Sequence, residues 1–414
     1  MPFSWSCNYF QWAALVLVAP AFGVQAQSGA PSTASAPTSS SRGEAVRAKL
    51  EAIRAKTKVP ALAGAIVTSE GLEAVWAAGV RAAGKEVPVA TSDSWHLGSC
   101  TKSMTATLIA LLVERGDLQW DKQLVAYFPE LASEIDKGYA DLTLVELLAH
   151  RAGMPAMTAP DSHMREVSAF RGTVTEQRAE LVRRILTAPP VTPPRKELVY
   201  SNAGPIVAGH IAERVTKKTW EELMRELLFV PLCMTTASFG APGTRGRLEQ
   251  PKGHDESSIP VEPGPYADNP AWIGPAGTCC MSLADWGKYA ALHLRGAIGD
   301  VKVGAITLPS AAMTRLHTAY AGAGAPYGFG WSLPKRSWAR GDHTVLSHTG
   351  SNGRWFSACW LDPASGIGVL TATNVGGEAG SKATDQAAAV LLQELLDREK
   401  DREKEREKST KSKR

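Results

Sequence analysis

Strand-like segments stand at both ends of this chain with helix-like segments between them, and no other feature restricts the fold as much. Residues 62–67 and 72–80 are apolar runs joined by Ser69-Glu70-Gly71, which reads as two strands and a tight turn. Residues 327–333, 354–362 and 368–374 show the same pattern near the other end, with Pro363-Ala364-Ser365-Gly366 turning between the last two. An isolated strand pair is marginal in water, so the two groups predict one sheet assembled from both ends. Helical periodicity predicts helices over 42–58, where Val46, Leu50 and Ile53 share a face, over 99–115, where Gly116 marks the end, and over 383–396. From about 118 to 271, helical candidates at 142–150, 175–186, 206–215 and 220–228 alternate with Pro-bearing loops. The expected fold is α/β in its α+β form: an antiparallel sheet flanked by helices, plus an all-helical region. In domain terms, 43–118 and 272–396 make a discontinuous sheet domain and 119–271 a mainly helical region.

A chain of 414 residues, 44% hydrophobic and 21% charged, can bury one large core or two smaller ones. The net charge is +4, and the tail at 397–414 alone carries nine Lys/Arg against six Asp/Glu. The rest is near neutral, so no nucleic-acid partner is expected, because neutralising phosphates takes a concentrated basic face. The alternating charges of the tail suit a solvated single helix or disorder, and no chemistry is assigned to it. Residues 1–26 read as an export signal: 12–24 is an uncharged, largely apolar run, and Val24-Gln25-Ala26 is a small-x-small cleavage site. That run is too short for the ~30 Å hydrocarbon core, so no stable membrane span is expected in the mature chain. The stretch before it lacks Lys and Arg, which departs from the usual pattern, but a disordered Ser/Ala/Pro/Thr linker at 27–42 follows directly. The expected location is periplasmic or secreted, in a bacterium. Cys7 would leave with the signal. Cys100, Cys233, Cys279, Cys280 and Cys359 remain, an odd number that leaves at least one thiol outside any disulfide. No C-x-x-C is present to suggest zinc or redox chemistry, and the adjacent Cys279 and Cys280 read as buried, unreactive thiols.

The chemistry starts at Ser99-Cys100-Thr101-Lys102. If Ser99 opens the helix, Lys102 lies on the same face three residues on. Serine is a poor nucleophile until a base takes its proton, and lysine can do so only when neutral. Its reference pKa of about 10.4 must then fall by about three units, about 4 kcal/mol, which burial beside a polar partner can supply. Free N–H groups at the helix start can stabilise charge on an acyl oxygen. The spacing alone is weak, since Ser332-Leu333-Pro334-Lys335 repeats it, though Pro334 makes that copy read as a strand end. Tyr200-Ser201-Asn202 adds a proton-relaying phenol and an amide able to bond both a lysine and a substrate carbonyl. Taken singly it reads equally as a loop tyrosine before a helix. His348-Thr349-Gly350-Ser351 lies between strand candidates and is rich in small residues, so backbone can approach a ligand closely. The N–H of Ser351 is a candidate second oxyanion donor, and the plainer reading is a glycine turn.

Together these motifs resemble the serine beta-lactamase and penicillin-binding superfamily, in its class C beta-lactamase-related branch. The order Ser-x-x-Lys, Tyr-x-Asn and Lys/His-Thr-Gly carries the resemblance. So do Trp95-His96-Leu97-Gly98 before Ser99, Gly116-Asp117-Leu118, Tyr127-Phe128-Pro129-Glu130, Leu147 to Gly153, Pro275-Ala276-Gly277 and Tyr327-Gly328-Phe329-Gly330-Trp331. It covers roughly residues 43 to 396. The resemblance implies Ser99 as nucleophile, Lys102 as its base, Tyr200 as proton relay, and Asn202 holding substrate and Lys102. It also implies an oxyanion hole from the Ser99 and Ser351 N–H groups, with the His348, Thr349 and Gly350 strand lining the site, and neither metal nor other cofactor. His348 stands where class C beta-lactamases carry lysine. A neutral imidazole weakens the fixed charge that pairs with a lactam carboxylate, which favours an esterase or a peptidase acting on D-residues, with at most weak beta-lactamase activity. The expected partner is therefore a small ester or amide, or a D-residue peptide. The alternatives are a non-catalytic penicillin-recognising or signalling domain, and an α/β-hydrolase. The first usually loses the serine or lysine that this chain keeps. The second needs a Gly-x-Ser-x-Gly elbow that the sequence lacks.

Overall fold

The computed structural model describes residues 41–158 and 162–412; the expected leader at 1–26 and nearly all of the linker at 27–42 lie outside the described residues. Helix α1 (Ser41–Thr57) leads into strands β1 (Ala61–Thr68) and β2 (Gly71–Gly79). Strands β3 (Leu346–Ser351), β4 (Phe356–Asp362) and β5 (Ile367–Thr373) come from the other end of the chain. All five make one antiparallel sheet in the order β3-β4-β5-β1-β2, with Leu62 opposite Thr373 where the two ends meet.

Strand β1 is buried on both faces, and its period of two divides it between two cores. Ala61, Ala63, Ala65 and Val67 face the larger core, while Leu62 and Ile66 face a smaller one with Val46 and Leu50 of α1 and Leu391 and Leu395 of helix α5 (Gly377–Ser412). Gly64 is small for a packing reason: a Cβ there would lie 2.5 Å from Leu391 Cδ1. On the opposite face sits helix α4 (Leu283–Gly296), started by Ser282, whose side chain accepts from the Asp285 N–H.

Helix α2 (Thr101–Glu114) runs through the larger core and is buried from Thr101 to Leu112. A helix enclosed on all sides shows no amphipathic stripe. A 3₁₀ turn at Gly98–Cys100 precedes it, so the α-helix begins two residues later than expected. The helical region closes over α2 through Val174–Leu186, α3 (Ala203–Thr216) and Trp220–Met224. The buried Arg178 guanidinium ties these together by bonding Glu213, Glu221 and the Trp272 carbonyl. Removing one partner of such a buried set destabilises by about 3–5 kcal/mol.

Three expectations are corrected. Residues 327–333 form no strand, only isolated bridges from Ser332 to Tyr327 and Ser347, because Gly330 turns left-handed (φ +74°) against Ser103 of α2. The 142–150 helix is only Leu144–Leu148, held by a capping box between Thr143 and Glu146. The closing helix does not stop at 396 but runs to Ser412, since its alternating charges pair along the helix and onto β2: Arg398 bonds Glu394, and both Arg398 and Arg402 reach Glu73. Cys279 and Cys280 are buried; burial pushes the Cys280 thiol up to about 12, and that of Cys279 upward as well.

Candidate active site

Ser99 lies in the 3₁₀ turn and Lys102 in the first turn of α2, so local geometry alone brings them together: Lys102 Nζ is 2.9 Å from Ser99 Oγ. The ammonium also donates to Asn202 Oδ1 at 2.7 Å and to the Ala276 carbonyl at 2.8 Å. Lys102 is 1% exposed, and this burial lowers its pKa from 10.5 to about 7. The Ala276 carbonyl was invisible to a reading of side chains.

The Tyr200 ring lies 4.9 Å from Lys102 Nζ, with its hydroxyl near the Ser99 side chain. Burial pushes the phenol well above its ordinary value, so it stays a protonated donor. Asn202 stands at the start of α3, with its Nδ2 donating to the Met157 carbonyl at 2.7 Å while Oδ1 holds Lys102. Both ends of this amide are therefore engaged, and it has one rotamer that serves both.

The β3 strand meets the serine turn backbone to backbone. A Cβ on Gly350 would fall 1.9 Å from the Leu97 carbonyl oxygen and 2.7 Å from the Ser99 nitrogen. One on Gly98, itself left-handed at φ +48°, would fall 2.3 Å from the Ser351 nitrogen. Only glycine at both positions lets the Ser99 and Ser351 amides lie this close. Ser351 Oγ is turned away and donates to the Trp355 carbonyl at 2.7 Å, which leaves the backbone as the part of Ser351 beside the serine. Thr349 is exposed on the strand.

His348 is buried rather than open to the cleft. Its Nδ1 donates to the Thr349 carbonyl at 2.6 Å, and its Nε2 lies within hydrogen-bond reach of the Tyr327 hydroxyl at 3.0 Å. Tyr327 and His150 form a wall behind it, with the His150 ring packed at a tilt against Tyr200, 4.5 Å between centres, and against Tyr327, 4.7 Å. Burial, and the charge of Lys102, hold His150 neutral, well below its ordinary pKa. Both residues sat in motifs noted above, but their contact has no sequence signal.

A cavity of about 510 Å³ opens over the serine, walled by Ser99, Asn202, Asn269, Ala276, Ser351 and Asn352. It shares Asp268, Asn269 and Pro270 with a second cavity of about 970 Å³ lined by Phe239, Pro263, Pro265 and Tyr266. Together they have room for more than a short acyl group.

A family model described as Beta-lactamase matches residues 46–394 of the chain. Penicillin-binding protein 4 of Amycolatopsis lactamdurans is 28% identical over 81% of this chain and 86% of its own length. Unguisins hydrolase ungD of Aspergillus violaceofuscus is 29% identical over 56% of this chain, which spans only 41% of that longer protein. Among solved structures, the class C beta lactamase from Rhodobacter sphaeroides superposes with a TM-score of 0.67 at 19% identity, over 85% of this chain and 99% of that one, a likeness of fold.

Proposed function

The chain belongs to the beta-lactamase family, and on that premise we propose that it is a serine hydrolase which cleaves an ester or amide through an acyl-enzyme on Ser99. The observation that carries this is the pairing of Ser99 Oγ with Lys102 Nζ at 2.9 Å, where burial brings the lysine to about 7. At neutral pH about half the lysine is then neutral and able to take the serine proton. Attack of Oγ on the carbonyl carbon gives a tetrahedral oxyanion, which the Ser99 and Ser351 N–H groups stabilise; one such donor is worth about 2.7–4 kcal/mol. As the carbon–heteroatom bond breaks, the Tyr200 hydroxyl gives its proton to the leaving group and is reprotonated from Lys102. In deacylation water attacks the acyl carbon and passes its proton through Tyr200 to Lys102, which returns it to Ser99 Oγ as the acyl–oxygen bond breaks.

His348 bears on substrate class. Both its ring nitrogens are engaged by Thr349 and Tyr327, so neither is free to reach a lactam carboxylate. This favours a simple ester, a D-aminoacyl amide or a D-residue peptide over a beta-lactam, and the cavity of about 510 Å³ over the serine, with a second one beside it, leaves space for a sizeable acyl half. The apolar run and cleavage site near the N-terminus support an exported enzyme acting in the periplasm or outside the cell.

The test is a rate panel on the purified protein: a short-chain aryl ester, a chromogenic cephalosporin, a D-Ala-D-Ala peptide and a D-aminoacyl anilide, each also against Ser99→Ala. Turnover of the ester or a D-residue substrate, lost in Ser99→Ala with the melting temperature kept, is the expected result. Equal rates in Ser99→Ala would overturn the assignment of the nucleophile. No turnover on any substrate would instead favour a penicillin-recognising domain without catalysis.

A further inference from the structure

His96 and Asp268 are both enclosed, with side chains 0% and 6% exposed, and the mechanism above uses neither. His96 ends the short strand Ser94–His96, two residues before the serine turn, and its Nδ1 accepts the Gly98 N–H at 3.0 Å. An amide can only donate, so Nδ1 is unprotonated and the ring proton sits on Nε2. That Nε2 lies 2.8 Å from Asp268 Oδ1 but off the line of a hydrogen bond, and it has no aligned acceptor among the described residues. Asp268 Oδ1 also takes the Asn352 Nδ2–H at 2.8 Å and the Asn269 N–H at 2.6 Å. Its other oxygen, Oδ2, is buried with no hydrogen-bond partner among the described residues. Natural structures carry few such orphaned polar atoms, and each calls for a reason.

The partners of this pair supply the reason, because they belong to three separate parts of the site. Gly98 is the left-handed residue that sets the direction of the Ser99 amide. Asn352 directly follows Ser351. Asn269 bonds the Gly277 carbonyl across the cavity wall. We propose that His96 and Asp268 act as a brace beneath the oxyanion hole, holding the serine turn, the end of β3 and the 267–270 wall in register. They are positioning residues: neither touches the reacting atoms, and a small displacement at the amides would remove stabilisation that exists only in the transition state. The proposal rests on the serine-hydrolase reading for its catalytic consequence, and on the geometry alone for the brace.

Two partial replacements separate the halves of the histidine. In His96→Asn, Oδ1 stands in for Nδ1 and can accept the Gly98 N–H, as asparagines do two residues before a turn amide, while the reach to Asp268 is lost. In His96→Gln, Nε2 stands in for the ring Nε2 and the Gly98 acceptor is lost. Hydrogen exchange of the segment 97–101 is measured in each, with His96→Ala, alongside kcat and KM for an activated aryl ester. Faster exchange at 97–101 is expected in His96→Ala and His96→Gln, with kcat down about 100-fold and KM changed less than about threefold. His96→Asn is expected to restore slow exchange there, and kcat to within about tenfold of the parent. Unchanged exchange and kcat in His96→Ala would overturn the brace. So would equal defects in the Asn and Gln variants at matched melting temperature, since these would mark His96 as packing alone. Should the parent turn over neither the ester nor any D-residue substrate, the function proposed above fails, and the exchange pattern still decides the brace.

Discussion

Replacing Asn202 by aspartate puts a carboxylate oxygen 2.7 Å from the Lys102 ammonium, where an amide oxygen now accepts. An opposite charge at that range raises an amine pKa by about 1–3 units, or about 1.4–4 kcal/mol. Starting from about 7, a shift of about 2 units brings Lys102 to about 9. Lysine takes the serine proton only when neutral, so kcat/KM rises with pH through this pKa, and raising the pKa moves the acid limb to higher pH. At pH 7 the neutral fraction falls from about one half to about one hundredth, a roughly fifty-fold loss, while near pH 10 the two enzymes converge. The substitution also removes the donor to the Met157 carbonyl, which lowers the plateau in its own right. The midpoint of the limb therefore carries the test. The assay is kcat/KM for an activated aryl ester from about pH 5.5 to about pH 10.5 with spontaneous hydrolysis subtracted, and Asn202→Leu is the uncharged control. A midpoint that stays within about 0.3 units of the parent, or moves as far in Asn202→Leu, refutes the argument that a buried lysine of tuned pKa sets the rate.

Three further outcomes follow from the same geometry. A lysine whose folded pKa is depressed destabilises the fold fully below about pH 7, less as pH rises, and not at all above 10.5. Lys102→Met removes that dependence, so its stability relative to the parent should improve by about 4–5 kcal/mol between pH 10.5 and pH 7; parallel denaturation curves across that range would contradict it. In Gly350→Ala the new Cβ meets backbone at 1.9 Å and 2.7 Å, so β3 must retreat by about an ångström, and kcat for an aryl ester should fall by about 100-fold; retention within about threefold would show that the two amides need not be so close. Because burial keeps Tyr200 protonated, Tyr200→Phe should slow a D-aminoacyl anilide by about 100-fold or more and an activated ester far less, and equal losses on both would remove its role at the leaving group.

Much of this was legible in the sequence. Ser99 and Lys102 are local neighbours, so their contact follows from helical spacing once a helix is expected there, and the unbroken apolar run of β1 suits a strand buried on both sides. What stayed hidden depends on non-local packing or on backbone atoms. The Ala276 carbonyl, the third acceptor of Lys102, has no side-chain signature. The engagement of His348 by Tyr327 turns on a residue in a segment that reads as a strand but is folded back by Gly330. His96 and Asp268 lie far apart in sequence, and nothing local says that either is polar and buried. Periodicity also misjudged length where charge rather than hydrophobicity sustains a helix, as in α5 beyond Leu396.

The sheet joined from both ends also fixes when this site can exist. Ser99 and Lys102 leave the ribosome early, but Ser351 follows Ser99 by 252 residues, which at about 5–20 residues per second is a delay of about 13–50 s. Until β3, β4 and β5 arrive, β1 has no partner on one edge and Ser99 lacks the Ser351 amide beside it. On the proposed mechanism a nascent chain would carry its nucleophile without the means to use it, and hydrolytic competence would arrive late, with the closing strands.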